Sequence, residues 1–359
     1  MKLVPLTSIC KPKQWKTIST KELKDYGYPV YGANGQIGFY DKYTHEFPTV
    51  LITCRGATCG SIHISEPKSY VNGNAMALDN LSEDVSINYL AHYLRFRRLD
   101  DVISGSAQPQ ITGQGLSNLL IPLPPLEQQK KIAVILDAAD AYWQKTKALI
   151  AKYDELTQSL FLDMFGDPVT NPKSFPTKSL GELCLFFSGR AWKNIELGDK
   201  GYRIVRISNL HKPDFPYWLY DGVMIDRHKV EEGDLLFSWA GVATSIDAYL
   251  YQGETALLNQ HIYNIKPKEG LNKKYIFKLL QLNLENLRSS LGGGVGQFHL
   301  KKNDITSIQV LMPDPDLMKV YLNCVETLDN QKAQAQASLE KAEELFNSLL
   351  QRAFKGELV

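Results

Sequence analysis

The chain has 359 residues, 44% of them hydrophobic and 22% charged, with a formal net charge of +1. That length accommodates two domains with separate cores, and the composition excludes an intrinsically disordered chain. The near-neutral charge weighs against a uniformly basic nucleic-acid-binding surface, but it leaves room for local clusters such as Arg95, Arg97 and Arg98, Arg203 and Arg206, or Lys301 and Lys302.

The opening MKLVPLTSICKPKQW has an early proline and too short an apolar run for a signal peptide. Nowhere does an apolar run approach the ~18 residues of a membrane span. The five cysteines are odd in number and scattered, which fits a reducing compartment. A cytoplasmic protein with no membrane association is expected.

From here the chain alternates punctuated and periodic stretches. Short β-branched and aromatic runs at PTVLITC (48–54) and SIHISE (61–66) predict strands, and INYLAHYLRFRR (87–98) predicts an amphipathic helix. IPLPPLE then ends the punctuated region, and a long helix is predicted from Glu127 to Phe165, about 58 Å at 1.5 Å per residue. Its expected seam, with alternating spacings of 3 and 4, is Ile132, Ile135, Ala139, Tyr142, Thr146, Leu149, Tyr153, Leu156 and Leu160. Gly166 followed by Asp167-Pro168 suits a helix stop.

The second half follows the same plan. Strands are predicted at YRIVRIS (202–208) and HIYNIKP (261–267), and a helix at 272–291. IQVLMPDPD leads into a second long helix with the seam Tyr321, Val325, Leu328, Lys332, Ala335, Leu339, Ala342, Phe346, Leu349 and Ala353, in which Lys332 is the polar interruption.

This likeness is a repeat. VPLTSIC (4–10) answers KSLGELC (178–184), with Leu6 over Leu180 and Cys10 over Cys184. VLITCRGATCGS (50–61) answers LLFSWAGVATSI (235–246), with Gly56 over Gly241, and SGSAQPQIT answers GGGVGQFHL, with Gln108 over Gln297. LLIPLPPLE answers IQVLMPDPD, and DELTQSLFLDMFGD answers EELFNSLLQRAFKGE. The offset grows from about 174 to about 189, so the second copy carries roughly fifteen extra residues.

An isolated amphipathic helix of this length cannot bury its stripe, and two in one chain invite pairing. Parallel pairing would make the intervening domain's connections travel a full helix length, so an antiparallel pair is expected. The expected fold is mixed α/β of the α+β kind: two pseudo-repeated domains separated by a long intramolecular antiparallel coiled coil. The expected boundaries are 1–125 and 168–312 for the domains, and 126–167 and 313–359 for the helices.

Catalytic signatures are lacking. Cys54, Cys59 and His63 lack zinc-knuckle spacing, GGGVG (292–296) is not followed by a phosphate-loop Lys-Ser/Thr, and NPKSFP (171–176) has no active-site tetrapeptide. No cofactor or metal is expected.

LLIPLPPLEQQKKIAVILDAAD, SLFLDMFGDPVTNPKSFP and the duplicated domain–helix layout resemble the specificity subunits of type I restriction–modification systems. The second copy departs in having MPDPDLMKV where the first has PPLEQQKKI. The resemblance implies two target recognition domains, each reading half of a split double-stranded DNA target. It implies paired helices that act as spacer and dock two DNA adenine methyltransferase subunits, and a restriction/translocase subunit that joins them. The subunit itself would do no chemistry. A DNA-modification enzyme with degenerate motifs and a coiled-coil scaffold without DNA contact are the alternatives. Half-sites about one helical turn apart, ~34 Å, are expected.

Base readout needs polar side chains on loops able to enter a groove. The first domain offers Tyr31, Asn34, Gln36, Arg55, Thr58, Asn72, Asn74, Ser106, Gln108 and Gln110. The second offers Ser188, Arg190, Lys193, Arg203, Arg206, Ser208, Ser238, Trp239, Gln260, His261, Gln297, His299 and Lys301. Spacer and docking roles are expected for Ile132, Ile135, Tyr142, Leu149 and Leu156 in the first helix. In the second helix they are expected for Val325, Leu328, Leu339, Phe346 and Leu349.

Overall fold

The computed structural model describes residues 2–105, 108–268, 270–289 and 298–358. Two compact units emerge, one of Met1–Ile150 with Ala333–Val359 and one of Ala151–Lys332.

In the first unit, strand Lys2–Pro5 pairs antiparallel with Leu120–Leu123, so the two ends of the punctuated region are tied together. Leu6 N donates to Leu119 O at 2.7 Å, and the Leu6 side chain is fully buried. Between these ends lies a four-stranded antiparallel sheet in the order Lys11–Gln14, Ala75–Asp79, Val50–Thr53, Ile62–Ile64. A three-stranded sheet (Gly35–Tyr40, Tyr28–Gly32, Tyr70–Val71) has one parallel pairing, Val30 with Tyr70. Helix Ile87–Arg97 buries Tyr89, Leu90, Ala91, His92 and Leu94, a near-consecutive run that leaves its middle enclosed on most sides.

The second unit repeats this design. Thr177–Ser179 pairs antiparallel with Gln309–Leu311, and Leu180 N donates to Ile308 O at 2.8 Å. Its four-stranded sheet has the matching order Cys184–Ser188, Ile262–Pro267, Leu235–Ser238, Asp247–Leu250. The other sheet grows to five strands, adding Leu197–Gly198 and Lys229–Val230 around Trp218–Tyr220, Tyr202–Val205 and Ala256–Leu258. Its one parallel pairing, Ile204 with Leu257, matches that of the first unit. The predicted strand YRIVRIS stops at Val205, because Asn209 Oδ1 accepts from Arg206 N at 3.0 Å and starts the short helix Ile207–His211. The helix predicted over 272–291 is described over Lys273–Ser289.

Both long helices form, Leu126–Phe165 and Pro315–Lys355. Pro125 O accepts from Gln128 N and Gln129 N, which fixes the first turn after the proline run. Gln129 is fully buried, and its amide joins Pro124 O (2.8 Å), Asp84 O (2.9 Å) and Ser86 N (2.9 Å). At the other end Gly166, with φ +77°, donates its N–H to Leu162 O at 2.8 Å, a left-handed cap that disfavours a side chain. In the first unit Ile132, Ala133 and Leu136 share a buried cluster with Leu350 and Ala353, and Trp143 stacks on Phe346 at 6.3 Å. In the second unit Phe161 and Phe165 pack against Tyr321, and Lys332 Nζ meets Asp154 Oδ1 at 2.5 Å. Within each unit the two helical segments therefore run antiparallel.

Every predicted seam position of the second long helix is buried or half-buried, Val325, Leu328, Leu339, Phe346 and Leu349 among them. The first helix requires a correction. Ile132, Ala139, Thr146, Tyr153 and Leu160 face inward to some degree, but Tyr142 (54% exposed), Leu149 (44%) and Leu156 (50%) do not. Their places are taken by the next residues, Trp143, Ile150 and Thr157, and Leu136 is more deeply buried than the half-buried Ile135. The sequence has apolar residues at both members of the pairs 135/136, 142/143 and 149/150, so either choice keeps a heptad spacing. At 156/157 the inward residue is a threonine whose hydroxyl donates back to Tyr153 O at 2.8 Å. Its polarity is thereby satisfied without an outside partner.

Candidate nucleic-acid interface

In each unit the inner strand of the four-stranded sheet runs into a tight turn, Thr53–Gly56 in the first and Ser238–Gly241 in the second. The hydrogen bonds around the turns are the same. Cys54 N donates to Asn74 O and Ile111 N to Cys54 O, both at 3.0 Å. In the second unit Trp239 N donates to His261 O at 3.2 Å and Leu300 N to Trp239 O at 2.9 Å. Arg55 is bridged antiparallel to Gln110, as Ala240 is to His299. Gly56 (φ +93°) and Gly241 (φ +117°) then turn the chain through backbone conformations that side chains resist.

The two turns share backbone geometry but carry different chemistry. Around the first lie Arg55, Asn34, Gln36, Thr58, Gln108 and Gln110, all exposed, with Asn74 half-buried. Thr58 Oγ1 lies 2.8 Å from Ala33 O and 2.9 Å from Asn34 Oδ1, which ties this turn to the loop joining Tyr28–Gly32 to Gly35–Tyr40. Around the second lie aromatic rings. Trp239 packs edge-on to His261 (5.1 Å), stacks on Tyr263 (5.8 Å) and is tilted against His299 (5.9 Å). Trp239 Nε1 and His261 Nδ1 are buried and have no hydrogen-bond partner among the described residues, an arrangement that costs about 1–3 kcal/mol per group while unsatisfied. Burial, and then the neighbouring His299, pulls the His261 imidazole below its ordinary range, which favours a neutral ring. Sequence reasoning missed Tyr263, whose only sign was an aromatic residue two positions beyond His261.

Other expected site residues have internal roles. Tyr31 is buried and its hydroxyl accepts from Glu66 N; Asn72 is buried and donates to Ile18 O; Ser238 is fully buried and bonds Ser245 O. These three do not line an outer surface, because their polar groups complete loops inside their own domains. Ser188 offers its carbonyl to His228, and Arg190 pairs with Glu196 beneath the ring of Trp192. Arg206 lies over Trp218 (4.3 Å) and bonds Pro216 O, and burial lowers its guanidinium from the ordinary value. Arg203 lies 3.8 Å from Glu254 and over Tyr217. Ser208 and Gln260 are half-buried, while Lys193 and Lys301 are exposed. Ser106 and Gln297 lie outside the described residues.

Four cysteine thiols are held toward the protonated form. Burial pushes the Cys10 thiol up to about 12 and Cys184 up to about 11, and it raises Cys54 and Cys59 as well. Among the described residues no group of three or more His, Cys, Asp or Glu could hold a metal ion, and no helix is long and apolar enough to cross a membrane.

A family model described as the type I restriction modification DNA specificity domain matches residues 1–152 and again residues 172–344. The chain belongs to the type I restriction–modification DNA specificity family. The two matches coincide with the two copies of the repeat, so the chain carries two specificity domains. It is 32% identical over 123 residues to the EcoprrI specificity subunit of Escherichia coli, a match covering 34% of this chain and 30% of that one. To the MjaIX specificity subunit of Methanocaldococcus jannaschii it is 24% identical, covering 95% of this chain and 86% of the other. The fold matches the crystal structure of a type I S subunit from M. genitalium with a TM-score of 0.67, at 16% identity and over 98% and 96% of the two chains. The two matched regions account for the duplicated layout and the paired turns.

Proposed function

We propose that this specificity subunit is a non-catalytic cytoplasmic protein that reads a bipartite, asymmetric double-stranded DNA target. One half is read by a recognition domain over residues 1–125 and the other by a domain over 168–312. The observation that carries the reading is the repeated turn frame with unlike side chains: Cys54, Arg55, Asn74 and Gln110 in one copy, Trp239, Ala240, His261 and His299 in the other. A duplicated scaffold with divergent tips suits two different half-sites. Polar groups on glycine-turned loops suit groove edges and phosphates.

The paired helices serve as spacer and as the docking surface for two DNA adenine methyltransferase subunits, which a restriction/translocase subunit joins. Tyr142 and Leu149 in the first unit, and Leu156 in the second, support this role: large apolar side chains seven residues apart remain exposed on one helix. The half-sites lie about one helical turn apart, ~34 Å.

Methylome sequencing of the host with and without this chain tests the reading. A split adenine-methylated motif that disappears with the chain is expected, and a continuous motif without an unspecified gap contradicts it. With a net charge of +1, the isolated chain binds DNA weakly, so band shifts belong with the methyltransferase-loaded complex and a salt series.

A further inference from the structure

We propose that Arg55 selects a guanine in the half-site read by the first domain. This rests on the DNA-reading function above and assigns one base contact within it.

Residues 1–125 contain four arginines. Arg95 donates to Ile62 O, Arg97 pairs with Asp101 and Arg98 pairs with Asp100. Arg55 alone of the four has no ion pair or side-chain hydrogen bond among the described residues, and it is exposed. The fold does not use this guanidinium, and the second copy shows that it does not need one: the same frame there carries Ala240.

The backbone beneath Arg55 is nevertheless held firmly. Cys54 is fully buried and bonded on both sides, to Asn74 O and from Ile111 N, and Arg55 itself is bridged to Gln110. On the other flank Gly56 has no heavy atom beyond its chain neighbours within 4 Å of where a Cβ would stand, so the turn opens onto free space. A free guanidinium on a rigid projecting turn loses little freedom when it forms two parallel hydrogen bonds. In the major groove the partner matching its fork is guanine, through O6 and N7. The neighbouring Asn34, Thr58 and Gln110 supply amides and a hydroxyl for adjoining base edges. A phosphate contact would use only the positive charge, which lysine also supplies, and would carry no sequence information.

The test uses the complete methyltransferase-loaded complex and duplexes in which each base pair of the first half of the split motif is replaced in turn. The wild type is expected to penalise replacement of one G·C pair by about 5- to 150-fold. Arg55→Ala is expected to erase that penalty at that pair and Arg55→Lys, which lacks the planar fork, to reduce it, leaving the penalties in the second half-site in place. Uniform weakening on all duplexes by R55A with rescue by R55K would assign Arg55 to a phosphate and overturn the proposal. Unchanged penalties in either variant would overturn it too. If R55A fails to fold, the charge-retaining R55K decides. A wild-type complex with a split motif but no selected guanine in its first half refutes only this assignment, whereas a complex without a split motif refutes the functional reading itself.

Discussion

The phenol of Tyr89 donates to the carbonyl of Pro122 at 2.7 Å, at the start of the proline run that leads into the first long helix. Tyr275 does the same to Leu311 O at 2.8 Å in the second copy. Both rings are fully buried, where a phenol needs a partner, and burial raises both hydroxyls above their ordinary range. Each ring also rests on the long helices, Tyr89 against Phe354 and Tyr275 against Phe161 and Phe165. Tyr89→Phe leaves Pro122 O without this donor and is expected to cost about 1–2 kcal/mol, and Tyr89→Ala about 3–5 kcal/mol. Thermal unfolding followed by circular dichroism reads both, and equal melting of Y89F and wild type would remove the bond from the account.

Asp234, 3% exposed, gathers Lys266 Nζ (2.5 Å), Asn264 Nδ2 (2.8 Å) and Glu231 N (3.1 Å) in the second unit. Burial alone would raise its carboxyl, but Lys266 and the hydrogen bonds outweigh that and hold it below the ordinary value. A depressed carboxylate contributes stability that is present above its unfolded value, about 3.9, and is lost as pH falls through the folded value. Acid unfolding should therefore begin below about pH 4 and be blunted in Asp234→Asn. Asp234→Ala, which strands its partners, is expected to cost about 3–5 kcal/mol. A pH series of urea midpoints for wild type and the two variants tests the sign.

The seam ion pair of Lys332 and Asp154 predicts an asymmetry. Both side chains are partly exposed, so the pair contributes at most about 1 kcal/mol. Lys332→Leu removes a charge from an otherwise apolar seam and should hold or raise the melting temperature. Asp154→Ala should lower it, because burial already depresses the nearby Lys278, Lys332 depresses it further and Asp154 is the group that counters them. Equal effects of the two substitutions would contradict this.

Exposed Tyr142 and Leu149 have few packing neighbours to lose. Replacing both with Asp should change stability by no more than about 0.5 kcal/mol per site, while weakening methyltransferase capture in size-exclusion experiments. Undiminished capture would move the docking surface elsewhere on the chain.

Much of this organisation was legible in the residues, for reasons that particular positions make plain. The pairing of Leu6 with Leu180 and the alignment of the 50–61 and 235–246 turns follow from motifs whose side chains are fixed by burial and backbone hydrogen bonds. The second helix was readable along its middle, where Leu328, Leu339 and Ala342 stand between polar neighbours. The first was ambiguous wherever two adjacent residues were both apolar, and only packing chooses Trp143 over Tyr142. At the candidate reading loops residue type misled: Asn72 and Ser238 have the side chains of base readers, yet their polar groups complete internal loops. Gln129 stood in a quoted motif, but nothing local reveals that its amide clasps Asp84 and Ser86 more than forty residues away.

The first unit's core joins Tyr89, Ile132 and Leu136 to Leu350 and Ala353. In vectorial synthesis, the domain that emerges early from the ribosome therefore waits for segments made some two hundred residues later before its helical base is covered. The second unit, drawn from the continuous stretch Ala151–Lys332, meets no such delay. Order of translation and order of completion are thus inverted. A chain arrested before residue 346 would expose the apolar base of the first domain while the second stands finished.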